Sequence, residues 1–512
     1  MRGLRVWMGV ACLATACGRS SGADRPDGRP DSGGFDAGTT LPDGGSLLGR
    51  IGPLGETSWE PLLDASLSNF YRYLPSQAFN ADRRGVFQMD GGILHVDGLG
   101  QTDQEQDFGY LATWADLGNY RARVEQKWGT FTYAPRKNQP RDTGLLYHVR
   151  GKDQIWPQCL EFQIMEHNTG DLWMLSDTGV FAPVADVSAT EPTFAPLGTV
   201  REYRSGRIIK SSEPESLTDW NTIELIASGR DSAQIVNGRW VNAGRDIEAE
   251  QDGGWSGLSH GHVALQAEGA EVFYRSFEIR PLAYLAPPPD AVVLFDGSDL
   301  DAWHGLDGGV AGWNVLDGGA LEVVPFAGDL RTNASYGDVR LHLEFQIPAT
   351  PTSEAHEDRG NSGVYFQGRY EVQILDSFGL DAGTVDCGAV YGVEAPAVNE
   401  AFPPGVWQSY DIVFRAPTWD GGTKTAPARM TVVWNGSKVQ EETEVPGPTR
   451  LGDSEASGDG PIRLQDHWNK VRYRNIWLQP LPPEAPDAGA PDAGAPDAGT
   501  DGGTDAGPDA GG

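Results

Sequence analysis

The chain has 512 residues, which is enough for two folded units of about 150 to 250 residues each with tails. Glycine (67), proline (35) and aromatic residues (10%) are abundant. This composition disfavours a helical bundle and favours short strands joined by tight turns. A net charge of −33 repels nucleic acid and anionic lipid, so we expect no nucleic-acid partner and no membrane contact except through a lipid anchor.

The first 17 residues have the order of an export signal: arginines, a short apolar stretch, then small residues before a cysteine. Residues 14–17 resemble a bacterial lipobox, in which the cysteine is lipidated. We therefore expect a lipid on Cys17 and a place in the cell envelope, in the periplasm or at the outer membrane or surface. An ordinarily cleaved, secreted protein is the alternative.

Both ends of the chain change sharply in composition. Residues 18–56 are mainly Gly, Asp, Pro and Ser, and within residues 482–512 the order Ala-Pro-Asp-Ala-Gly repeats over 485–499. Neither stretch can bury enough apolar surface to offset the entropy of ordering it. We predict that both are disordered, the first as a tether and the second as an acidic tail.

Between the tails the sequence repeats once, in the same order. The matching segments are 87–96 and 313–323, 118–125 and 337–344, 141–148 and 360–367, 160–164 and 370–374, and 261–268 and 460–467. A duplication explains this order. We predict one unit at residues 57–284, a Pro-rich linker at 285–290 and a second unit at 291–481. Cys159 and Cys387 fall at non-matching positions in different units, so we expect two buried thiols.

Each matched segment alternates apolar and polar residues with a period of two and is bounded by Gly, Asp, Asn or Pro. This pattern predicts half-buried antiparallel strands. The fold class is therefore all-β, with two tandem jelly-roll or lectin-like β-sandwiches.

The alternation also predicts which side chains share a face. In 370–374, Val372 and Ile374 point inward and leave Glu371 and Gln373 outside; Glu161 and Gln163 take the same places in the first unit. The other polar side chains on outward faces are Arg340, Asn361, Gln465 and His467, and in the first unit Asp142, His148 and Gln266. We expect them to converge on one concave, saccharide-binding surface; the alternative is that they are the solvated faces of the sheets.

At this point the chain resembles a known family, the 3-keto-disaccharide hydrolases, also described as 3-keto-glucoside 1,2-lyases and 3-keto-2-hydroxyglucal hydratases. The segments that carry the resemblance are 294–303, the Asp-Gly-Gly at 317–319, the Asn-Ser-Gly at 361–363, Glu-Val-Gln-Ile-Leu-Asp at 371–376, Cys-Gly-Ala-Val-Tyr-Gly at 387–392 and Leu-Gln-Asp-His at 464–467. The first unit resembles another branch of the family at 108–113, 127–129, 144–148 and 169–173. The resemblance implies a concanavalin A-like sandwich that acts on sugars oxidised at C3.

A ketone at C3 acidifies the hydrogen on C2, so a carboxylate or imidazole can remove it and the resulting enolate can expel the C1 substituent. In the second unit we predict Glu371 and His467 as the acid and base. Asn361, Gln373 and Gln465 would hold hydroxyl groups, and Asp376 or Asp466 would position the histidine or a metal. The resemblance makes a divalent metal a candidate cofactor, although no ligand spacing demands one.

In the first unit the matching candidates are Asp142, Glu161, Gln163, Gln266 and Glu268. We add His148, Asp171 and, as a metal candidate, Glu166. Because Ala267 and Glu268 replace the Asp-His pair, the sequence leaves open whether both units catalyse. The function predicted is cleavage of 3-keto-glycosides at the cell surface; the alternative is a lipoprotein that binds carbohydrate without catalysis.

Overall fold

The computed structural model describes residues 51–97, 106–350 and 355–482. The predicted signal and lipidation site, residues 18–50 and the tail from residue 483 lie outside the described residues. Within the described ranges nearly all regular structure is β-strand, with one 3-10 turn at His356–Asp358. No helix in these ranges is long and apolar enough to cross a bilayer. The all-β fold predicted from the sequence is confirmed.

The first unit consists of a large sheet of eleven strands and a small sheet of seven. Its strands are β1 (Glu60–Pro61), β2 (Phe70–Tyr73), β3 (Phe87–Asp90), β4 (Ile93–Val96), β5 (Gly109–Thr113), β6 (Asn119–Thr132), β7 (Asp142–Arg150), β8 (Gln158–Met165), β9 (Leu172–Leu175), β10 (Thr178–Val184), β11 (Thr199–Tyr203), β12 (Gly206–Ile208), β13 (Asn221–Ser228), β14 (Asp231–Val236), β15 (Arg239–Gln251), β16 (Gly254–Gly257), β17 (His262–Ala267) and β18 (Ala270–Pro281). The large sheet has the order β11-β10-β15-β14-β13-β6-β18-β4-β3, with β1 beside β18 and β16 beside β15. The small sheet is β12-β9-β8-β7-β17-β5-β2.

The second unit has a large sheet of eight strands, a small sheet of five and a separate hairpin. Its strands are β19 (Val292–Phe295), β20 (Trp303–Gly305), β21 (Asn314–Val315), β22 (Leu321–Glu322), β23 (Leu330–Thr332), β24 (Val339–Gln346), β25 (Ser362–Phe366), β26 (Tyr370–Ile374), β27 (Trp407–Arg415), β28 (Thr418–Asp420), β29 (Thr423–Ala426), β30 (Ala428–Trp434), β31 (Ser437–Val445), β32 (Arg463–Leu464) and β33 (Arg472–Pro480). The large sheet is β21-β22-β33-β24-β27-β30-β31 with β19 beside β33, the small sheet is β20-β23-β32-β25-β26, and β28 pairs with β29.

The repeated Gly-Gly pairs make tight turns. Gly91 and Gly92, between β3 and β4, have φ of 56° and 85°. A two-residue hairpin turn with positive φ at both positions matches the twist of the strands, and glycine adopts it without a Cβ clash. The matching Gly318 and Gly319 also have positive φ, of 98° and 78°, but their loop is longer, because the N–H of Leu316 donates to the carbonyl oxygen of Ala320 across it.

The predicted alternation places the core correctly. Val372 and Ile374 belong to the core of the second unit, and Phe162 and Ile164 to that of the first. Their neighbours in sequence therefore point away from the core. Cys159 and Cys387 are buried free thiols, as predicted.

The two units meet across an apolar cluster. Ile226 and Ile235 of the first unit and Leu282 at its end pack with Phe402 and Val406 of the second. Tyr284 adds a hydrogen bond, because its hydroxyl donates to the carbonyl oxygen of Trp407 at 2.8 Å.

The polar centre of this interface is Glu400 of the second unit. Its carboxylate accepts from Arg280 at 3.1 Å and from Arg121 at 2.9 Å, both of the first unit. Ser437 also donates to it at 2.6 Å. The negative charge of this carboxylate thus compensates the positive charges of two guanidinium groups, one buried and one partly buried.

The predicted disordered stretch 18–56 is too long at its C-terminal end. Residues 51–56 are described, and the N–H of Gly52 donates to the carbonyl oxygen of Glu56 at 2.6 Å. The next residue, Thr57, donates to Gly436 of the second unit at 2.9 Å. Backbone hydrogen bonds therefore order this short segment, and amino-acid composition alone does not predict them.

We expect Glu400→Ala to lower the free energy of unfolding by about 3 to 5 kcal/mol, because it removes the carboxylate that pairs with the buried Arg280, whereas Arg121 keeps Glu224 at 3.0 Å. Glu441→Ala is the control, since Glu441 pairs with Lys438 while 72% of its side chain is exposed. That variant should change stability by no more than about 0.5 kcal/mol. Denaturant unfolding measures both, and equal losses would contradict the central role of Glu400.

Candidate active site

The outer face of the small sheet in the second unit carries the candidate site. In the antiparallel register Tyr365 of β25 lies opposite Glu371 of β26 on one side and Arg463 of β32 on the other, and Gly363 lies opposite Gln373. Directly paired residues share a face. Tyr365 and Arg463, from the two adjacent strands, therefore lie on the same face of the sheet as Glu371 and Gln373.

A cavity of about 220 Å³ opens above this face. Its walls are Glu357, Asp358, Asn361, Tyr365, Glu371, Gln373, Tyr391, Arg450, Leu451, Gln465 and His467. Five of the predicted site residues of the second unit, namely Asn361, Glu371, Gln373, Gln465 and His467, are thus brought together. A concave site with a few convergent polar groups is typical of small-ligand binding.

Glu371 lies at the bottom of the cavity and is almost completely buried. One carboxylate oxygen lies 2.1 Å from where a Cβ on Gly363 would be, so only glycine leaves room for it. Burial raises the pKa of Glu371 to about 8, against a hydrogen bond from Tyr365 and the charge of Arg463, which lower it. Near neutral pH this carboxyl group is therefore largely protonated and can donate a proton.

Around Glu371 the other polar groups form a network. Arg463 lies 3.7 Å over the Tyr365 ring and donates to the carbonyl oxygen of Leu451 at 2.9 Å. The Nε2 of Gln465 donates to the Tyr365 hydroxyl at 3.1 Å. Among the described residues, Oε1 of Gln465 and Nδ1 of His467 have no hydrogen-bond partner. Unsatisfied buried groups of this kind are often completed by a ligand or water.

Arg340 does not lie at the predicted site. Arg340 lies on β24 in the large sheet, where it pairs with Asp411 at 2.8 Å. The outer faces of the two sheets of a sandwich point in opposite directions. The prediction that Arg340 shares a surface with Glu371 is therefore wrong.

Asp376 and Asp466 are also engaged elsewhere. Asp376 accepts from Arg359 at 2.8 Å. The carboxylate of Asp466 accepts from the backbone N–H groups of Gly328 at 3.0 Å and Trp468 at 2.9 Å. Among the described residues, no hydrogen bond is found between either carboxylate and the imidazole of His467, so the predicted role of positioning the histidine finds no support.

The sequence argument missed several walls of the cavity. Tyr365 could have been found, because it lies four residues after Asn361 and the alternation places both on the same face. The others, Glu357, Asp358, Tyr391, Arg450 and Leu451, lie outside the named strands, where no periodicity indicates their direction.

The first unit has a different arrangement at the same positions. Arg136 forms ion pairs with Asp142 and, at 2.5 Å, with Glu268, and Nε2 of Gln163 donates to Asp142 at 2.5 Å. Burial, together with the charges of Glu268 and Asp142, raises the pKa of Glu161 well above its usual value. Oxygens of Glu161 and Gln266 both lie close to Gly144 and have no partner among the described residues.

Two replacements distinguish the units further. Leu146 lies opposite Glu161, and Ala264 opposite Leu146, in the places of Tyr365 and Arg463. Both belong to a buried apolar cluster with Tyr71 and Tyr110. The first unit therefore lacks the phenol and guanidinium that surround Glu371.

His148 and Glu166 do not belong to the first unit's cluster. His148 has φ of 54°, which breaks the strand alternation, and its Nε2 lies 3.2 Å from the carbonyl oxygen of Gly229. Glu166 pairs with Arg141 at 2.9 Å. Asp171, also added from the sequence, pairs with Arg207 at 2.9 Å. The structure thus gives these three residues contacts of their own and does not bring them together with Glu161, so their site roles stay predictions.

The donors of the cavity do not converge as a metal-ligand set. In the described ranges, the one group of three His, Cys, Asp or Glu residues with ligand atoms within 4.8 Å of one another is His95, Asp97 and Glu271. It belongs to the first unit and includes none of the predicted site residues. Asp376 and Glu166, the predicted metal candidates, are occupied by arginines, so no step below is assigned to a metal.

A β-sandwich with a buried carboxyl group, an imidazole and amides around a small polar cavity, in a chain that matches the family model of a lyase-like domain, indicates, in general terms, a hydrolytic or lyase enzyme with a saccharide as its ligand. The chain belongs to the 3-keto-alpha-glucoside-1,2-lyase-like domain family, whose model matches residues 58–280 and again residues 290–479. The predicted family and its two tandem copies are confirmed. The search of curated proteins gives no match for this chain.

Solved structures similar to parts of the chain include two candidate glycosyl hydrolases from Parabacteroides distasonis. One is 39% identical, with 38% of this chain and 85% of that chain covered and a TM-score of 0.36. The other is 23% identical, with 38% and 94% covered and a TM-score of 0.29. The carbohydrate-binding module CBM66 from Bacillus subtilis is 12% identical, with 37% and 88% covered and a TM-score of 0.22.

The raised pKa of Glu371 predicts a pH-dependent stability. Because the pKa rises from 4.5 to about 8 on folding, the folded protein keeps a proton that the unfolded chain loses between these values. Wild-type stability should therefore fall as pH rises through this range, and Glu371→Gln should remove that loss. The melting temperature of the variant minus that of the wild type is expected to increase from about pH 5 to about pH 9.

Glu344→Gln provides the contrast. Burial raises the pKa of Glu344, but His342, Arg474 and Asn475 outweigh it and the net pKa is lowered. This variant should be less stable than the wild type at neutral pH, and the difference should shrink as pH falls below the usual carboxyl pKa. A melting-temperature difference for Glu371→Gln that stays constant with pH would contradict the raised pKa.

Proposed function

We propose that the second unit cleaves 3-keto-glycosides by removing the proton on C2 and expelling the substituent on C1. The observation that carries this proposal is the protonated, buried carboxyl group of Glu371 in one cavity with the imidazole of His467. An elimination of this type needs a proton donor and a proton acceptor within reach of adjacent carbons.

In the proposed reaction, a base takes the C2 proton and the C2–H electrons move toward the C3 carbonyl to form an enolate. When the carbonyl re-forms, a C1–C2 double bond is made and the C1–O bond breaks. The leaving oxygen takes a proton from an acid and departs as an alcohol. Addition of water across the new double bond then gives net hydrolysis.

We assign the acid to Glu371, since its raised pKa keeps it protonated near neutral pH, and the base to His467, whose imidazole lines the same cavity. Gln465, Asn361 and Gln373 line the same cavity and supply amide groups for sugar hydroxyls. The hydrogen bond from Tyr365 and the charge of Arg463 limit how far the pKa of Glu371 rises.

The first unit receives no catalytic role in this proposal. The position of His467 is taken there by Glu268, which is bound to Arg136, and Leu146 and Ala264 replace Tyr365 and Arg463. Binding of carbohydrate without catalysis is the alternative for the whole chain, and these replacements favour it for the first unit. A divalent metal stays a prediction that a chelator can test.

Glu371→Gln keeps the shape of the side chain but removes the proton donor. We expect turnover of a 3-keto-glucoside by the full chain to fall by about 100-fold or more. Wild-type activity should fall as pH rises through about 8, because the acid is lost as Glu371 ionises. Aglycone release, measured with and without chelator across this pH range, tests both expectations.

The matched change Glu161→Gln decides between the units, because Glu161 has the same place in the first unit. We expect it to change turnover by less than about threefold. His467→Asn should lose activity like Glu371→Gln, and the double variant should lose less than the product of the two single losses if both serve one step. Full activity in both single variants would contradict this site, and loss with Glu161→Gln alone would assign catalysis to the first unit.

We propose further that the chain is exported and anchored by lipid at Cys17. Cys17→Ser should move the protein from the membrane fraction to the soluble envelope or medium, because the lipid-bearing thiol is lost. Immunoblotting of fractionated cells measures this. An unchanged membrane fraction would contradict the anchor, and soluble wild-type protein would favour ordinary secretion.

A further inference from the structure

Three exposed apolar side chains lie around the cavity of the second unit. Leu451 is 67% exposed and lines the cavity. Trp468 is 57% exposed, and its ring lies 4.9 Å from that of its neighbour His467. Phe326, 80% exposed, stacks on Trp468 with centroids 5.8 Å apart and planes inclined by 27°. We call Phe326 and Trp468 together the aromatic rim.

These side chains also share an unusual backbone. In the described ranges, four large apolar residues have left-handed φ: Leu67, which is buried, and Phe326 (69°), Leu451 (63°) and Trp468 (64°). This conformation is unfavourable for bulky residues and is found mostly where function requires it. Burial does not compensate for it at the last three, so stability alone does not account for their placement.

The backbone under the aromatic rim is firmly held. Asp466 accepts from the N–H groups of Gly328 and Trp468, and its own N–H donates to Asp329 at 2.9 Å. Trp313 donates to the carbonyl oxygen of Gly328 at 2.9 Å. The two segments that carry the rings are therefore fixed to each other and to the strand end that carries His467.

We propose that the aromatic rim is the subsite for the leaving group of the substrate, and that it stacks against a ring with a flat face, either aryl or pyranosyl. This inference rests on the proposed function of the cavity. It adds that the enzyme prefers glycosides whose C1 substituent contains such a ring over those with a small alkyl group.

The occupant follows from the position of the rim. The cavity of about 220 Å³ is smaller than the roughly 300 to 1,000 Å³ of sites for drug-sized ligands, so it suits one sugar ring and leaves the C1 substituent outside. C1 and C2 are adjacent, so a substituent on C1 emerges next to the residue that takes the C2 proton. That residue is His467, and the ring of Trp468 lies 4.9 Å from its imidazole. Flat apolar faces gain from stacking on such rings.

The test compares methyl, phenyl and glucosyl 3-keto-glucosides as substrates of the full chain. We expect Trp468→Ala to lower the ratio of kcat/KM for the phenyl over the methyl compound by about fivefold to tenfold, mainly through KM, as for the loss of one stacked ring. Phe326→Ala should act in the same direction, and Trp468→Phe should restore most of the ratio. Phe131→Ala, which removes a half-exposed aromatic ring of the first unit, is the matched control and should leave the ratio unchanged.

The glucosyl compound identifies the natural chemistry of the ring: a loss equal to that of the phenyl compound indicates a pyranosyl group, and a loss confined to the phenyl compound indicates an aryl group. Equal losses for all three substrates would show that Trp468 is structural, and unchanged ratios would show that the rim binds no leaving group; either result overturns this inference alone. If the wild type cleaves none of the three, the proposed function fails and the subsite fails with it.

Discussion

A β-sandwich must bury one face of each sheet, and this constraint divides the polar residues of the chain between two opposite outer faces. In the second unit the outer face of the large sheet bears Arg340, His342 and Asp411. The outer face of the small sheet bears Glu371 and Gln373 and is covered by loops that leave a cavity. Buried ionisable groups occur on both faces, but among the described residues only those of the second face lie beside a cavity that a substrate can enter.

The duplicated units show how one scaffold supports different electrostatics. In each unit a glutamate side chain lies against a glycine of the neighbouring strand, Glu371 against Gly363 and Glu161 against Gly144. The pair of strands therefore places the carboxyl group in the same way in both units. The cation differs: Arg463 comes from the neighbouring strand in the second unit, whereas Arg136 in the first pairs with the acids on either side. Arg136 is bound directly to Asp142 and Glu268, whereas within the described part of the chain Arg463 forms its ion pairs with Asp329 and Asp453 and not with Glu371.

Periodicity predicted the fold and half of the site because it depends only on backbone geometry. It gave the direction of Glu371, Gln373 and Gln465 correctly. It failed for Arg340, since alternation indicates a face of a strand but not which sheet the strand joins, and for His148, since a left-handed residue interrupts the alternation. It could not find Glu357 or Tyr391, whose positions depend on how loops return over the sheet.

The Leu-Gln-Asp-His segment combines core packing, a cavity wall and a backbone anchor in four residues. Leu464 is in the core, Gln465 faces the cavity, and His467 reaches the cavity after the strand has ended. Strand geometry no longer fixes the histidine there, so another constraint is needed. Asp466 supplies it by binding Asp329 through its N–H and Gly328 and Trp468 through its carboxylate. Because the backbone is held on both sides of His467, the imidazole keeps its place beside Glu371 although it lies beyond the sheet.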